Sequence, residues 1–252
     1  SLTLTGPASD NVAGIASQNG IIAICAGGND ESYNSLGRPL EISVFSDNHF
    51  TNITSPAGHD AMRVCFDKAD PYHFFVSTWG DGLYEYRNYN LIRHFDETNS
   101  PLVPGPDLGD GIRISGLAMD KNRNLIIAQS SRRAGISILR PDGSWIVNAF
   151  TINTPLAGDI ISTGSGQKWM ILPAGGAFFV ADDNKTPDIF SDDKSKPVII
   201  KDNEGNIINN AFSVAEDMDG NVWVGTDKGP VIYPAGRSVF DDNATGFRIK
   251  VP

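Results

Sequence analysis

The chain has 252 residues, of which 40% are hydrophobic and 20% charged, and its formal net charge is −10. This is the composition of a globular chain, not a disordered one. The acidic balance argues against a duplex nucleic-acid binder, whose affinity rests on Lys and Arg at phosphates. No run of about 18 apolar residues occurs, so no transmembrane helix is expected. The chain opens at Ser1 without a charged start and apolar run, and a signal peptide is expected to be absent or already removed.

In chain order, Leu2–Thr5 reads as a strand left over from an earlier repeat. The first copy of a repeat follows at 14–27, with Ser17 at its marker position and Ile21–Cys25 as an apolar strand. Asp47-Asn48 is a hairpin-like turn into a fourth strand. The second copy, 64–86, has Asp67 at the marker, then Val76-Ser77-Thr78, a turn closing at Gly82, and a third strand. Asn88-Tyr89-Asn90 turns into its fourth strand. The third copy, 117–130, carries Asp120 and continues through Gly135, Ile136–Leu139 and the turn Asp142-Gly143. The fourth, 160–173, has Thr163 at the marker and Trp169, then Gly175-Gly176 and Ala177–Val180. The fifth, 215–233, has Asp217, Asp219-Gly220, Trp223 and Gly229, and closes with Phe247–Val251.

The markers are spaced by 50, 53, 43 and 54 residues. Repeats of about 40–50 residues fit four-stranded propeller blades. The segments between turns are short and rich in Val, Ile, Phe and Trp, a strand pattern, and none sustains a helical period. The expected fold is all-β: a β-propeller of four-stranded antiparallel blades, about five in this chain, near 11–55, 61–96, 112–150, 158–209 and 210–252. It reads as a fragment of a larger propeller, with a closed five-bladed ring as the alternative. Middle strands buried on both faces should be apolar throughout, as Ile21–Cys25, Phe74–Val76 and Leu125–Ile127 are. Trp169, Phe178, Phe179 and Trp223 are expected to pack between blades. Cys25 and Cys65 lie in apolar runs and read as small buried hydrophobes, not a disulfide.

Signals for catalysis are sparse. His49, His59, His73 and His94 are far apart and match no metal-ligand spacing, and His73, beside a buried-strand candidate, reads as structural. No nucleophile elbow or phosphate-cradling loop occurs. Asp217-Met218-Asp219-Gly220 resembles the start of a calcium loop but lacks the remaining ligands, and its residues recur as turn formers. No catalytic residue, metal or cofactor is expected.

Binding in repeat folds sits on the loops of one face. The loops Gly27–Leu40, Thr78–Gly82, Glu97–Gly111 and Ser130–Gly135 would share a face and gather Tyr33, Arg38, Trp79, Asp81, Arg132 and Arg133. Arginines beside aromatics suit an anionic glycan through bidentate contacts and stacking; the alternative is a set of solvated loops. Long loops at 182–197 and 234–245 fall on the opposite face.

The string D-x-D-G-N-V-W-V-G-T at 217–226 resembles the two-component-regulator propeller repeat, common in Bacteroidetes sensor proteins. The resemblance covers the second and fifth copies well and the third and fourth loosely. Thr5-Gly6-Pro7 with Asn11, Asn99-Ser100-Pro101-Leu102 and Phe247–Pro252 are similar to the PorZ-like propeller family of the type IX secretion system. That family resemblance implies two propellers and a C-terminal signal domain, and these residues are expected to lack the signal domain and any second propeller. It also implies a place on the outer-membrane surface or in the periplasm, and binding of a protein partner or anionic lipopolysaccharide. The expected function is a non-catalytic binding or scaffold module of the cell envelope. The alternative is the periplasmic ligand-sensing domain of a hybrid two-component sensor kinase. A polysaccharide lyase or glycosidase would need paired carboxylates about 5–10 Å apart.

Overall fold

The computed structural model describes residues 6–105, 111–130, 135–152, 154–173, 177–235, 239–241 and 245–249. Leu2–Thr5 and Val251 lie outside them. The chain divides into two compact units, residues 1–119 and 120–252.

In the first unit β1 (Gly14–Gln18), β2 (Ile21–Cys25), β3 (Pro39–Ser46) and β4 (His49–His59) form one antiparallel sheet in that order. A second follows with β5 (Ala61–Asp67), β6 (Asp70–Gly80), β7 (Leu83–Arg87) and β8 (Asn90–Phe95). The end of β6 also pairs with β9 (Ile112–Met119), Trp79 opposite Arg113 and Gly80 opposite Ile112.

The second unit holds β10 (Leu125–Ser130), β11 (Gly135–Leu139) and β12 (Trp145–Thr151), paired antiparallel in order. Two four-stranded sheets follow: β13 (Ile160–Ser162), β14 (Lys168–Leu172), β15 (Ala177–Asp182) and β16 (Lys194–Ile199), then β17 (Ala211–Glu216), β18 (Val222–Thr226), β19 (Val231–Tyr233) and β20 (Phe247–Arg248). Strands reach into the expected long loop at 182–197, leaving 183–193 as connection.

The repeat markers mark real turns. Asp67, Asp120, Thr163 and Asp217 each stand where the first strand of a hairpin ends. The Asp120 carboxylate accepts the backbone N–H of Asn124 at 2.8 Å and its side-chain amide at 2.8 Å. Asp217 does the same with Asn221 at 2.8 and 2.9 Å. Thr163 Oγ1 accepts the Gln167 N–H at 3.0 Å. In the second copy the partner is a side chain of another kind, His73 Nδ1 at 2.9 Å. A short polar side chain that bonds its own turn favours the hairpin over a continued strand. The residues at Asp47-Asn48 and Asn88-Tyr89 all have φ between 48° and 64°, the left-handed pair that matches the twist of a tight hairpin.

Each unit closes its core between facing sheets. Ile21, Ala23, Cys25, Leu40, Ile42 and Val44 meet Val64, Phe66, Phe74, Val76, Tyr84 and Tyr86. In the second unit Trp169, Phe178, Val180 and Val198 meet Val214, Val222, Val224, Val231 and Tyr233. Burying one such side chain contributes about 1.5–3 kcal/mol. Cys25 and Cys65 are buried free thiols.

Two expectations are corrected. The β2 strand buries Ile21, Ala23 and Cys25 but leaves Ile22 36% exposed, so it behaves as a half-covered strand with period two. Trp169, Phe178 and Phe179 are buried, whereas Trp223 is half-buried and its indole N–H donates to Asp217 at 2.8 Å. It belongs to its own hairpin.

Candidate functional site

The site is built where β4 passes into β5. A single residue, Asp60, joins them; it is fully buried with φ 49°. A charged side chain in that position is stable only if its oxygens are bonded. They are: Oδ2 accepts Ser35 Oγ–H at 2.5 Å and the Gly37 N–H at 2.8 Å, and Oδ1 accepts the Arg38 N–H at 3.1 Å. The Asp60 N–H returns the favour to the Arg38 carbonyl at 2.8 Å. Gly27, at the other end of the loop, bonds Ala61 O at 3.0 Å. A Cβ there would lie 2.2 Å from Ala61 N, so only glycine allows this approach. Residues 27–38 are thus clamped at both ends.

A third clamp acts on the loop tip. The Trp79 indole N–H donates to the Tyr33 carbonyl at 2.9 Å. The ring itself is 2% exposed, inside β6, with the Arg113 guanidinium 5.5 Å from its centroid. Trp79 was expected at the surface as a ligand contact; it instead supports the loop from below. Tyr33 is half-buried with φ 63°. Arg38 is half-buried too, one Nη1–H spent on the Gly27 carbonyl at 2.8 Å.

Beside the loop, two histidines from different hairpins converge on Asp81. Its Oδ2 accepts the His59 backbone N–H at 2.6 Å and lies 3.2 Å from His59 Nδ1. The Asp81 carbonyl accepts His94 Nε2–H at 2.5 Å. The His94 ring stacks on Tyr84 with centroids 4.2 Å apart, and burial pushes the Tyr84 hydroxyl pKa upward. The His59 side chain is 51% exposed and that of Asp81 29%. The imidazole faces solvent, backed by a carboxylate that holds its orientation. Thr78 fixes this corner, its Oγ1–H donating to Gly82 O at 2.8 Å. Thr226 makes the equivalent bond to Gly229 O at 2.5 Å, the repeat match written as chemistry.

Of the residues expected from sequence, Tyr33, Arg38 and Asp81 lie in this one neighbourhood, Trp79 lies beneath it, and Arg132 and Arg133 fall outside the described residues. His59, Asp60, His94 and Arg113 were missed. The surface can offer guanidinium and imidazole donors with a carboxylate acceptor, the inventory for polar recognition. Among the described residues no cluster of three His, Cys, Asp or Glu side chains is arranged to hold a metal ion. Among the described residues no helix is long and apolar enough to cross a membrane.

Known proteins fit this frame. The family profile described as two component regulator propeller matches residues 205–228. No curated protein matches the chain in sequence. Among solved structures, PorZ of Porphyromonas gingivalis, an essential bacterial surface component of the type IX secretion system, superposes with TM-score 0.83 at 21% identity. That match covers 99% of this chain and 36% of PorZ, so the chain spans little more than a third of that protein. A structural-genomics protein of unknown function from Bacteroides thetaiotaomicron gives TM-score 0.57 at 15% identity, over 90% of this chain and 57% of that one. A streptogramin B lyase gives 0.62 at 11%, over 98% and 72%. At these identities the likeness is one of fold. The chain therefore has the β-propeller fold, in four-stranded antiparallel blades, carries a two-component-regulator propeller repeat at 205–228, and is built like PorZ.

Proposed function

We propose that the chain is a non-catalytic binding or scaffold propeller of the bacterial cell envelope, in the periplasm or on the outer-membrane surface. It recognises a protein partner or an anionic glycan such as lipopolysaccharide. The observation that carries this reading is the clamped 27–38 loop. Asp60 and Trp79 hold it from below, and it presents Tyr33 and Arg38 beside the exposed His59. A loop fixed before binding loses less entropy on binding. The likeness to PorZ over 99% of the chain supports the envelope setting.

An array of glycans and lipopolysaccharides tests it, run with the purified chain in low and high salt. Salt-sensitive binding to acidic glycans supports the reading, because screening weakens exposed charge pairs. A blank array together with no specific capture from envelope extracts contradicts it.

The repeat match at 205–228 favours a second reading, a ligand-sensing domain of a two-component receptor. A kinase and membrane span encoded on the same polypeptide would support it.

A further inference from the structure

The chain has four methionines, and the fold treats them in two ways. Met62 in β5, Met119 at the end of β9 and Met170 in β14 are buried. Met218 is fully exposed. It stands between β17 and β18, in the turn Asp217-Met218-Asp219-Gly220.

Two features single out this thioether. The first is the turn. Asp217 Oδ1 accepts the Asp219 N–H at 3.0 Å and the Asn221 N–H at 2.8 Å. The Gly220 N–H donates to the Asp217 carbonyl at 3.0 Å, and Gly220 has φ 82°. The backbone thus closes around position 218 without using its side chain, which is left in water. The second feature is the residue type. The residue after the marker is Gln18, Lys68, Lys121 and Gly164 in the other four copies, all polar or small. Met218 is the one large apolar side chain at this position, and packing does not account for it because it buries nothing.

Hydroperoxides convert a thioether to a sulfoxide, a polar group that methionine sulfoxide reductases return to the thioether. In a core the change is costly, because the new oxygen is buried without a donor. At Met218 it breaks no contact, and the bonds that hold the turn come from Asp217.

We propose that Met218 is a reversible oxidation site for hydroperoxides, set at the apex of the repeat turn so that the fold survives the modification. The sulfur lone pair attacks one peroxide oxygen, and the S–O bond forms as the O–O bond breaks. Sulfur loses two electrons and the peroxide gains them. The proton of the transferred OH passes to the departing hydroxide, which leaves as water.

Hydrogen peroxide added to the whole native chain at neutral pH tests this, with a short methionine peptide in the same solution and each methionine followed by peptide mapping. Met218 should gain oxygen as fast as the reference peptide. Met62, Met119 and Met170 should lag by about tenfold or more, since a buried sulfur reacts only when its strand opens. In denaturant all four should react alike. The chain oxidised at Met218 should melt at the temperature of the untreated chain, and the two epimer-specific reductases together should remove the added oxygen. Met218→Leu should abolish the fast phase and leave the slow ones. The proposal is overturned if Met218 lags behind the reference peptide, if a buried methionine of the native chain reacts as fast as Met218, if oxidation at Met218 lowers the melting temperature, or if the reductases leave the oxygen in place.

Discussion

The Trp79 indole N–H donates to the carbonyl of Tyr33, 46 residues away, at 2.9 Å. This bond ties a strand of one sheet to a loop of another without using the tyrosine side chain. Trp79→Phe keeps most of the ring and removes the donor. It should cost about 1 kcal/mol, the net worth of one hydrogen bond, and speed amide exchange at residues 30–34 selectively. Trp79→Ala also empties a core position and should cost about 3–5 kcal/mol. Denaturant melts of both variants check the ranking.

Asp60→Asn leaves the shape but weakens three bonds to Ser35, Gly37 and Arg38. The loop should become a site of limited proteolysis near 35–38 while the rest of the unit stays resistant. Unchanged cleavage would show that the carboxylate is not the clamp.

His73 reports pH. Its Nε2 faces Glu85 at 2.8 Å and its Nδ1 faces Asp67 at 2.9 Å. Both ring nitrogens therefore face acceptors, which only the imidazolium satisfies. The bond to Glu85 is the larger cause, ahead of that to Asp67, and the pKa rises above its ordinary 6.5. A raised folded pKa means that this stabilisation is fully present below pH 6.5 and fades as pH rises through the folded value. Thermal melts should fall across that window, and His73→Gln should flatten the dependence.

Asp217 gives the opposite sign. Its bonds to the Asn221 side chain first, then to Trp223, lower its pKa from 3.8 to about 2. Its contribution is complete above pH 3.8 and disappears as pH falls through about 2. Asp217→Ala should free the Trp223 ring and red-shift the tryptophan emission at neutral pH.

Burial raises both thiols, Cys25 and Cys65, to about 12. The thiolate is the reactive form, so neither should react with a thiol reagent at pH 8 until the chain is unfolded. Rapid native labelling would contradict this packing.

The turns were readable because their signals are local. Asp120 with Asn124 and Asp217 with Asn221 bond within four residues, so the sequence itself carries the motif. The site was only partly readable. His59 and His94 lie 22 and 13 residues from Asp81, and only the docking of hairpins brings them together. The Trp79 assignment failed because Gly80-Asp81-Gly82 reads as a loop start, whereas β6 runs on to Gly80. That extension carries Trp79 inward. The role of Tyr33 escaped notice because it acts through a backbone carbonyl, which no side-chain pattern records.

The central claim is that the clamped loop and its neighbours form a recognition surface. The most direct measurement is the acidic-glycan and lipopolysaccharide array, run in parallel with wild-type chain and an Arg38→Ala/His59→Ala variant of equal melting temperature. The account predicts salt-sensitive wild-type binding that the variant loses by about tenfold or more, as expected for charge-assisted contacts. Equal binding by the two proteins would contradict it.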